Sequence, residues 1–160
     1  MWDRLYPFFV WAEATGVAHA IRQSKWTFAI TEVLHLLALT LLLGTVLIMA
    51  MRLFGLLLPN KTVADLSREF TPWSIGALAL VLSTGVLLLM SEATKCWGNP
   101  AFKNKMLFFF LALTFQFTVL RIVTRSEETR FSPVARKITA VVAVVLWFSV
   151  GAAGRAIAFY

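Results

Sequence analysis

The chain contains four apolar stretches, each long enough to cross a lipid bilayer. They cover about residues 26–58, 73–94, 101–124 and 133–159 of the 160-residue sequence. A transmembrane helix needs about 20 mostly apolar residues at a rise of about 1.5 Å per residue, and all four stretches reach that length. Over the whole chain 59 % of the residues are apolar, against about 45–50 % in soluble domains. The sequence therefore predicts an all-α integral membrane protein.

Short connections between these stretches predict a single membrane domain, residues 1–160, folded as an antiparallel four-helix bundle. Three helix starts carry the same signal, because Thr71-Pro72, Asn99-Pro100 and Ser132-Pro133 each place a capping side chain before a proline. The side-chain oxygen accepts a hydrogen bond from a free backbone N–H, and proline at the first helical position has no donor to lose. We expect helices to begin at these three places.

Residues 1–25 precede the first apolar stretch. Their pattern predicts an amphipathic helix that lies on the membrane surface. Between Phe8 and Arg22, apolar residues share one helical face and polar residues the other. The predicted apolar face consists of Val10, Ala14, Val17 and Ile21. A shorter interfacial turn is predicted at residues 62–70, before Thr71-Pro72.

The charge balance excludes one class of partner. The net charge is 15 − 8 = +7, and basic residues beside membrane spans are typical contacts of anionic lipid headgroups. A nucleic-acid-binding face would need stacking aromatic residues on a soluble basic surface, whereas here the aromatics lie within the apolar spans. Cys96 is the only cysteine and so forms no internal disulfide or multi-cysteine metal site. The expected partners are the lipid bilayer and a homo-oligomer or larger membrane complex, without nucleic acid.

The orientation in the membrane is weakly specified by the sequence. Lysines and arginines are nearly balanced between the side that carries both termini, where we place Lys105 and Arg155, and the opposite side. The densest basic segment runs from Arg121 to Lys137. This density favours an orientation with both termini outside the cytoplasm.

One pair of ionisable residues lies inside the first apolar stretch, where Glu32 and His35 form an E-x-x-H sequence. An ionisable side chain inside a transmembrane helix costs about 2.5–3.5 kcal/mol on insertion scales and persists mainly where it meets a partner, a cofactor or water. The i, i+3 spacing puts both residues on one helical face. Counting residues along antiparallel helices puts Gln116 and Arg155 in the same leaflet. If all four face inward, they form one polar cluster.

Several interpretations of this cluster are open. Glu32 and Arg155 can form a buried ion pair that fixes how the first and fourth helices meet, and His35 can form a hydrogen bond across the bundle. Alternatively, His35 is the axial ligand of a b-type haem, with Glu32 in a supporting role and Arg155 as the partner of a haem propionate. His19 is expected to face the lipid headgroups. If the surface helix folds over the bundle instead, His19 can supply a second ligand to the haem iron.

Residue types in the chain are compatible with two further metal sites. Thioether ligands suit copper(I), so His35 with methionines is an alternative copper site. Glu-x-x-His also matches half of a di-metal carboxylate site, which would need a second copy of the chain to supply the other half. Met49, Met51, Met90 and Met106 are more typical of lipid-facing or core positions.

The sequence contains no nucleophile–base constellation and no phosphate-binding loop, so catalysis is not expected. A transporter is disfavoured because the chain has no inverted repeat or broken helices. The leading prediction is an electron-transfer or accessory membrane subunit that binds one haem b through His35. The alternatives are a scaffold or assembly subunit without cofactor and a copper-handling membrane protein.

The chain resembles a family of small bacterial four-helix membrane proteins of unknown function and, more distantly, copper-resistance D-type and small cytochrome-b-like membrane bundles. This resemblance implies a location in the bacterial cytoplasmic membrane and makes His35 the first-helix histidine. It also implies a second histidine late in the third helix, where this chain has Leu120-Arg121. An intramolecular bis-histidine haem would therefore lack one ligand. The segments that carry the resemblance are Trp11-Ala12-Glu13-Ala14-Thr15, Ile21-Arg22, Glu32-Val33-Leu34-His35, Leu42-Leu43-Gly44-Thr45, Asn99-Pro100-Ala101-Phe102, Lys105-Met106-Leu107, Trp147 and Gly154-Arg155-Ala156-Ile157-Ala158-Phe159.

Overall fold

A computed structural model describes residues 2–126 and 130–159, and these residues form helices and short connections without any strand. Short 3-10 turns lie at each end of the described chain. The third long helix is continuous but contains a π-helical segment between two α-helical parts. The helices are α1 (Tyr6–Glu13), α2 (Gly16–Gln23), α3 (Lys25–Phe54), α4 (Val63–Ser91), α5 (Ala93–Gly98), α6 (Pro100–Phe115), the π-helix (Gln116–Leu120), α7 (Arg121–Arg125) and α8 (Pro133–Ala156).

Four helical segments are long and apolar enough to cross a membrane: α3, α4, the continuous segment Pro100–Arg125 and α8. The predicted all-α membrane bundle is thus confirmed. We call the membrane side with both termini the terminal side and the opposite side the loop side. Helix α3 packs against α4 and α8, and α8 packs against α6. On the loop side α7 contacts α4, whereas on the terminal side α4 and α6 have little direct contact.

Two of the three predicted proline starts are confirmed. Asn99 precedes α6, and its side-chain oxygen accepts a hydrogen bond from the N–H of Ala101 at 2.9 Å. Ser132 precedes α8 and accepts from the N–H of Ala135 at 3.2 Å. In both helices proline takes the first turn, where its missing donor costs nothing.

The third predicted start, Thr71-Pro72, is wrong. Helix α4 begins at Val63, where Thr62 accepts a hydrogen bond from the N–H of Asp65 at 3.1 Å. Thr71 lies within the helix, and its hydroxyl donates to the carbonyl oxygen of Ser67 at 2.5 Å instead of capping a helix end. The predicted interfacial turn at 62–70 is therefore the first part of α4, with Pro72 in its interior. The cap at Thr62 starts the helix earlier than the sequence predicts. Pro72 is tolerated inside it because it removes only one backbone hydrogen bond from a helix that neighbouring helices support.

The N-terminal segment is not one surface helix. It divides into α1 and α2, because Thr15 ends the first helix and caps the second by accepting from the N–H of Ala18 at 3.3 Å. The break changes the helical phase, and α1 packs against α5 while α2 packs against α3 and α4. Of the predicted apolar face only Ile21 is buried. The buried residues are Phe9, Ala12, Ala18 and Ile21, and the exposed ones include Val10, Ala14 and Val17.

Apolar side chains form two clusters inside the protein. The larger lies between the four long helices and includes Leu42, Val46 and Trp147, whose side chain is 1 % exposed. The smaller lies at the terminal side, where Phe9 of α1 packs against Phe102 of α6. Many large apolar residues on the long helices are exposed at the outer surface, which suits contact with lipid.

Candidate functional site

His35 lies on α3 at the terminal-side level of the bundle and is held by α4. Its Nδ1 atom lies 2.9 Å from the hydroxyl oxygen of Thr84. That hydroxyl lies 2.6 Å from the carbonyl oxygen of Leu80, one turn earlier in its own helix. A hydroxyl has a single proton, and a carbonyl oxygen can only accept. The Thr84 proton is therefore directed to Leu80, and His35 Nδ1–H donates to Thr84.

This hydrogen bond has a consequence for the other ring nitrogen. In a neutral imidazole only one nitrogen carries a proton, so a donor at Nδ1 leaves a lone pair at Nε2. Metal-bound histidines are commonly oriented in this way, with one nitrogen donating to a protein oxygen and the other facing the metal. The position of His35 is therefore compatible both with a structural hydrogen bond and with ligation through Nε2.

Gly85 makes room for the imidazole against α4. A Cβ atom at this position would lie 3.2 Å from Cε1 and 3.7 Å from Nδ1 of His35. The first distance is tighter than an ordinary van der Waals contact. Gly85 therefore lets the ring approach the α4 backbone, next to the hydroxyl of Thr84 that holds it.

Lys105 is a second polar residue on the terminal side, although the sequence predicts it among the cations at the membrane edge. It is half-buried near the start of α6. A Cβ atom on Gly154 would lie 3.5 Å from both Cε and Nζ of Lys105, so the ammonium lies against the α8 backbone. Within residues 2–126 and 130–159, Lys105 has no hydrogen bond or ion pair.

The predicted four-residue cluster does not assemble. Glu32 is exposed, and the described part of the chain gives it no hydrogen bond or ion pair. Arg155 is also exposed, with its guanidinium 6.0 Å from the ring centre of Phe159. The Glu32–Arg155 ion pair is therefore not formed. Residues three apart differ by about 60° around a helix, and this rotation is enough to turn Glu32 outward while His35 packs on α4.

The other predicted residues have separate surroundings. Gln116 lies near the middle of the third span, where its Oε1 accepts a hydrogen bond from Trp147 Nε1 at 3.1 Å. His19 is exposed on α2, although α2 does pack against the bundle. The structure thus brings His35 together with Thr84 and Gly85 instead of with Glu32 and Arg155. A sequence signal for Lys105 was available, since it lies more than one helical turn past the Asn99 cap.

The donor atoms near His35 limit the metal chemistry of the described residues. Within 2–126 and 130–159 no three His, Cys, Asp or Glu residues form a group that could hold a metal ion. Met49 packs in the large apolar cluster, and Met90 and Met106 pack around the small one. A copper site built on His35 and methionines gains no support from these positions.

A polar network fixes α1 and α2 over the terminal side of the bundle. Glu13 Oε1 accepts from Arg22 Nη1 at 2.7 Å, and Glu13 Oε2 accepts from the N–H of Thr94 in α5 at 2.7 Å. The hydrogen bonds from Thr94, assisted by the charge of Arg22, hold the pKa of Glu13 below its ordinary value. Asn99 Nδ2 also donates to the carbonyl oxygen of Ile157 at 3.1 Å, which joins the start of α6 to the end of the chain.

The fold and the site together define a four-span, all-α membrane bundle with one histidine hydrogen-bonded between its first two long helices. The chain belongs to the DUF6644 family, a family of unknown function whose profile matches residues 8–160. The predicted membership of a family without assigned function is confirmed. No curated protein and no solved structure gives a significant match.

Proposed function

We propose that this protein is a small haem b-binding membrane protein that acts as an electron-transfer or accessory subunit, with His35 as axial ligand. The observation that carries the proposal is the His35–Thr84 hydrogen bond, because it leaves Nε2 with a lone pair. Imidazole nitrogen is the common axial ligand of protein-bound haem iron. When bound, haem b would carry one electron between a donor and an acceptor.

Lys105 supports a haem more than a bare metal ion. An ammonium without an ion-pair partner inside an apolar bundle is costly and favours an anionic group nearby. A haem carries carboxylate propionates, and Lys105 is a half-buried cation on the same side of the bundle as His35. We therefore assign Lys105, and not the exposed Arg155, as the propionate partner. His35 would supply one axial ligand, and the second would come from outside this chain.

The limited contact between α4 and α6 supports the same proposal. These helices make little direct contact on the terminal side, although α7 packs against α4 on the loop side. His35 on α3 and Lys105 on α6 both lie on this terminal side, where α1 packs against α5. A planar group inserted there would lie among helices whose glycines, Gly85 and Gly154, face the two polar side chains.

Optical spectra of the wild type and two histidine variants test the haem assignment. The full chain is expressed in a bacterial membrane with a haem precursor supplied, purified in detergent and assayed by its Soret band and by pyridine haemochromogen. We expect the wild type and His19→Ala to retain haem and His35→Ala to lose it. His19 is the matched control because it is the other histidine and is exposed. Absence of haem from the wild type would overturn the proposal.

The second variant pair tests the role of the cation. We expect Lys105→Met to weaken haem retention about tenfold, the effect of losing roughly one charge-assisted hydrogen bond. Arg155→Met removes the same charge at an exposed position and is expected to leave haem content unchanged. Equal effects of the two substitutions, or an effect of Arg155→Met alone, would contradict the assignment of Lys105.

A scaffold subunit without cofactor is the second candidate, and one observation favours it. Thr45, Thr84 and Thr124 are all buried, and each accepts a hydrogen bond from a neighbouring helix while donating to its own backbone. The donors are Ser74, His35 and Ser67 respectively. In this interpretation His35 only joins two helices, as the serines do. His35→Gln, which keeps a donor but offers no imidazole, would then preserve stability and change no spectrum.

A further inference from the structure

A cavity separate from the histidine lies in the loop-side half of the bundle. Its volume is about 120 Å³, and it lies between α4 and the π-helical and α7 parts of the third span. Gln116 and Trp147 line its inner end, near the middle of the membrane. Arg121 and Arg125 line its outer end, where the third span reaches the membrane surface.

The outer end of the cavity is cationic. Arg121 and Arg125 are four residues apart and so lie on one face of the helix, and both are exposed. The side chains that line the cavity in the described ranges include no carboxylate. Arginine guanidinium groups bind phosphate through paired, charge-assisted hydrogen bonds. The charge at this end therefore fits an anion at headgroup level.

The walls below the arginines behave as an apolar surface even where they carry hydroxyls. Ser67 donates to Thr124 at 3.2 Å, Thr71 donates to the Ser67 carbonyl and Ser74 donates to Thr45 at 2.8 Å. Each of these protons is used inside the protein, so no hydroxyl requires a hydrogen-bond partner in the cavity. The remaining wall is formed largely by aliphatic and aromatic side chains.

The length of the cavity matches the thickness of one leaflet, and its opening faces the surrounding lipid. From Gln116 to Arg125 a helix rises about 14 Å, close to half of the roughly 30 Å hydrocarbon thickness. Ile75 and Phe117 line the cavity and are also exposed at the outer surface, so the cavity opens sideways toward lipid. The π-helix lies along this wall, and π-helical segments often occur at functional sites.

We propose that this cavity binds one anionic glycerophospholipid. Its phosphate lies between Arg121 and Arg125, and one acyl chain follows the cavity toward Gln116. Basic pockets between membrane helices bind acidic headgroups on the same electrostatic basis. The proposal is independent of the haem site, because no residue of the His35 environment lines this cavity.

Native mass spectrometry of the full chain released from nanodiscs of phosphatidylcholine with phosphatidylglycerol tests the proposal. We expect the wild type to retain one phosphatidylglycerol, and R121Q/R125Q to lower this retention about tenfold, as expected for the loss of one strong charged contact. The matched control is R130Q/K137Q, which removes two exposed charges from the same membrane side outside the cavity. Equal retention in both double variants, or equal loss, would overturn the proposal.

A cavity-filling variant distinguishes a lipid inserted in the cavity from a lipid held only by the charge of the surface arginines. Thr71→Leu keeps both arginines and adds volume to the cavity wall. We expect it to release phosphatidylglycerol while preserving the helical circular-dichroism spectrum. Unchanged retention in Thr71→Leu would place the lipid outside the cavity and refute its insertion. Added inorganic phosphate should not displace the lipid, and displacement by phosphate alone would identify a free-anion site instead.

Discussion

Arg22 of α2 contacts Glu13 of α1 twice, through Nη1 to the carboxylate at 2.7 Å and through Nη2 to the backbone carbonyl at 2.8 Å. The other oxygen of Glu13 accepts from the first turn of α5 through the N–H of Thr94. One carboxylate thus fixes two short helices against a third. Isolated helices of this length are unstable, so their position depends on such contacts as well as on apolar packing.

We predict a pH-dependent stability that is specific to Glu13. Its folded-state pKa lies below the ordinary value of a glutamate. Its contribution to stability is therefore fully present above that ordinary value and is lost as the pH falls through the lowered pKa. Glu13→Gln should cost on the order of 1 kcal/mol at neutral pH, the typical effect of hydrogen bonds to a partly exposed charged group. Unfolding in mixed micelles at several pH values measures this. The two proteins should converge in acid, and a constant difference down to pH values below the pKa would contradict the prediction.

The helix start at Thr62 gives a second prediction. Thr62→Ala removes the side-chain oxygen that caps α4 and should cost about 1 kcal/mol of stability. Thr71→Ala removes a hydroxyl that bonds only to its own helix and should cost much less. Chemical unfolding of both variants compares the two threonines directly. A larger loss at Thr71 would support a helix that begins at Pro72.

The contrast between Thr62 and Thr71 shows what a sequence can and cannot specify. Span length and the caps at Asn99 and Ser132 depend on neighbouring residues alone, so both were predictable. Thr71-Pro72 carries the same local signal as those caps, but the cap at Thr62, nine residues upstream, takes precedence in the folded helix. Local pattern alone does not rank two competing caps.

The candidate site was only half predictable for a related reason. The apolar surroundings of His35 in the sequence identified it as the residue of interest. Which neighbours it meets depends on helix rotation, and that is set by packing of α3 on α4, with Gly85 admitting the ring. Lys105 likewise reaches the bundle because Gly154 on α8 lies beside it. Both contacts join residues far apart in sequence, where no spacing rule applies.

Gly85 yields a third prediction. Gly85→Ala puts a methyl group 3.2 Å from His35 Cε1, and overpacking of this kind typically costs about 1–3 kcal/mol. Gly76→Ala is the matched control in the same helix, since nothing lies within 4 Å of its added Cβ. Unfolding free energies of both variants in mixed micelles test the difference. Equal stability of the two would mean that the His35 ring does not pack against Gly85.

The hydrogen bond between Ser74 and Thr45 gives a fourth prediction. Ser74 Oγ donates to Thr45 Oγ1 at 2.8 Å, between α4 and α3. A double-mutant cycle with Ser74→Ala and Thr45→Val should show a coupling of about 0.6 kcal/mol, the average for hydrogen bonds between membrane helices. Ser83→Ala is the control partner, because Ser83 is exposed and bonds to Ala79 of its own helix. If Thr45 couples to Ser83 as strongly as to Ser74, the measured coupling energy does not come from the hydrogen bond between Ser74 and Thr45.

Cys96 gives the last prediction, on reactivity. Burial, assisted by the negative charge of Glu92, raises the pKa of its thiol above the ordinary value. The thiolate is the reactive form, so at neutral pH Cys96 should react with a maleimide more slowly than an exposed thiol. The reaction rate of Cys96 should also keep rising at pH values where the rate of an exposed thiol has already levelled off. The comparison is Lys95→Cys in a Cys96→Ala background, because the side chain of Lys95 is 76 % exposed. Equal rates for the two cysteines across the pH range would show that the small apolar cluster does not shield the thiol.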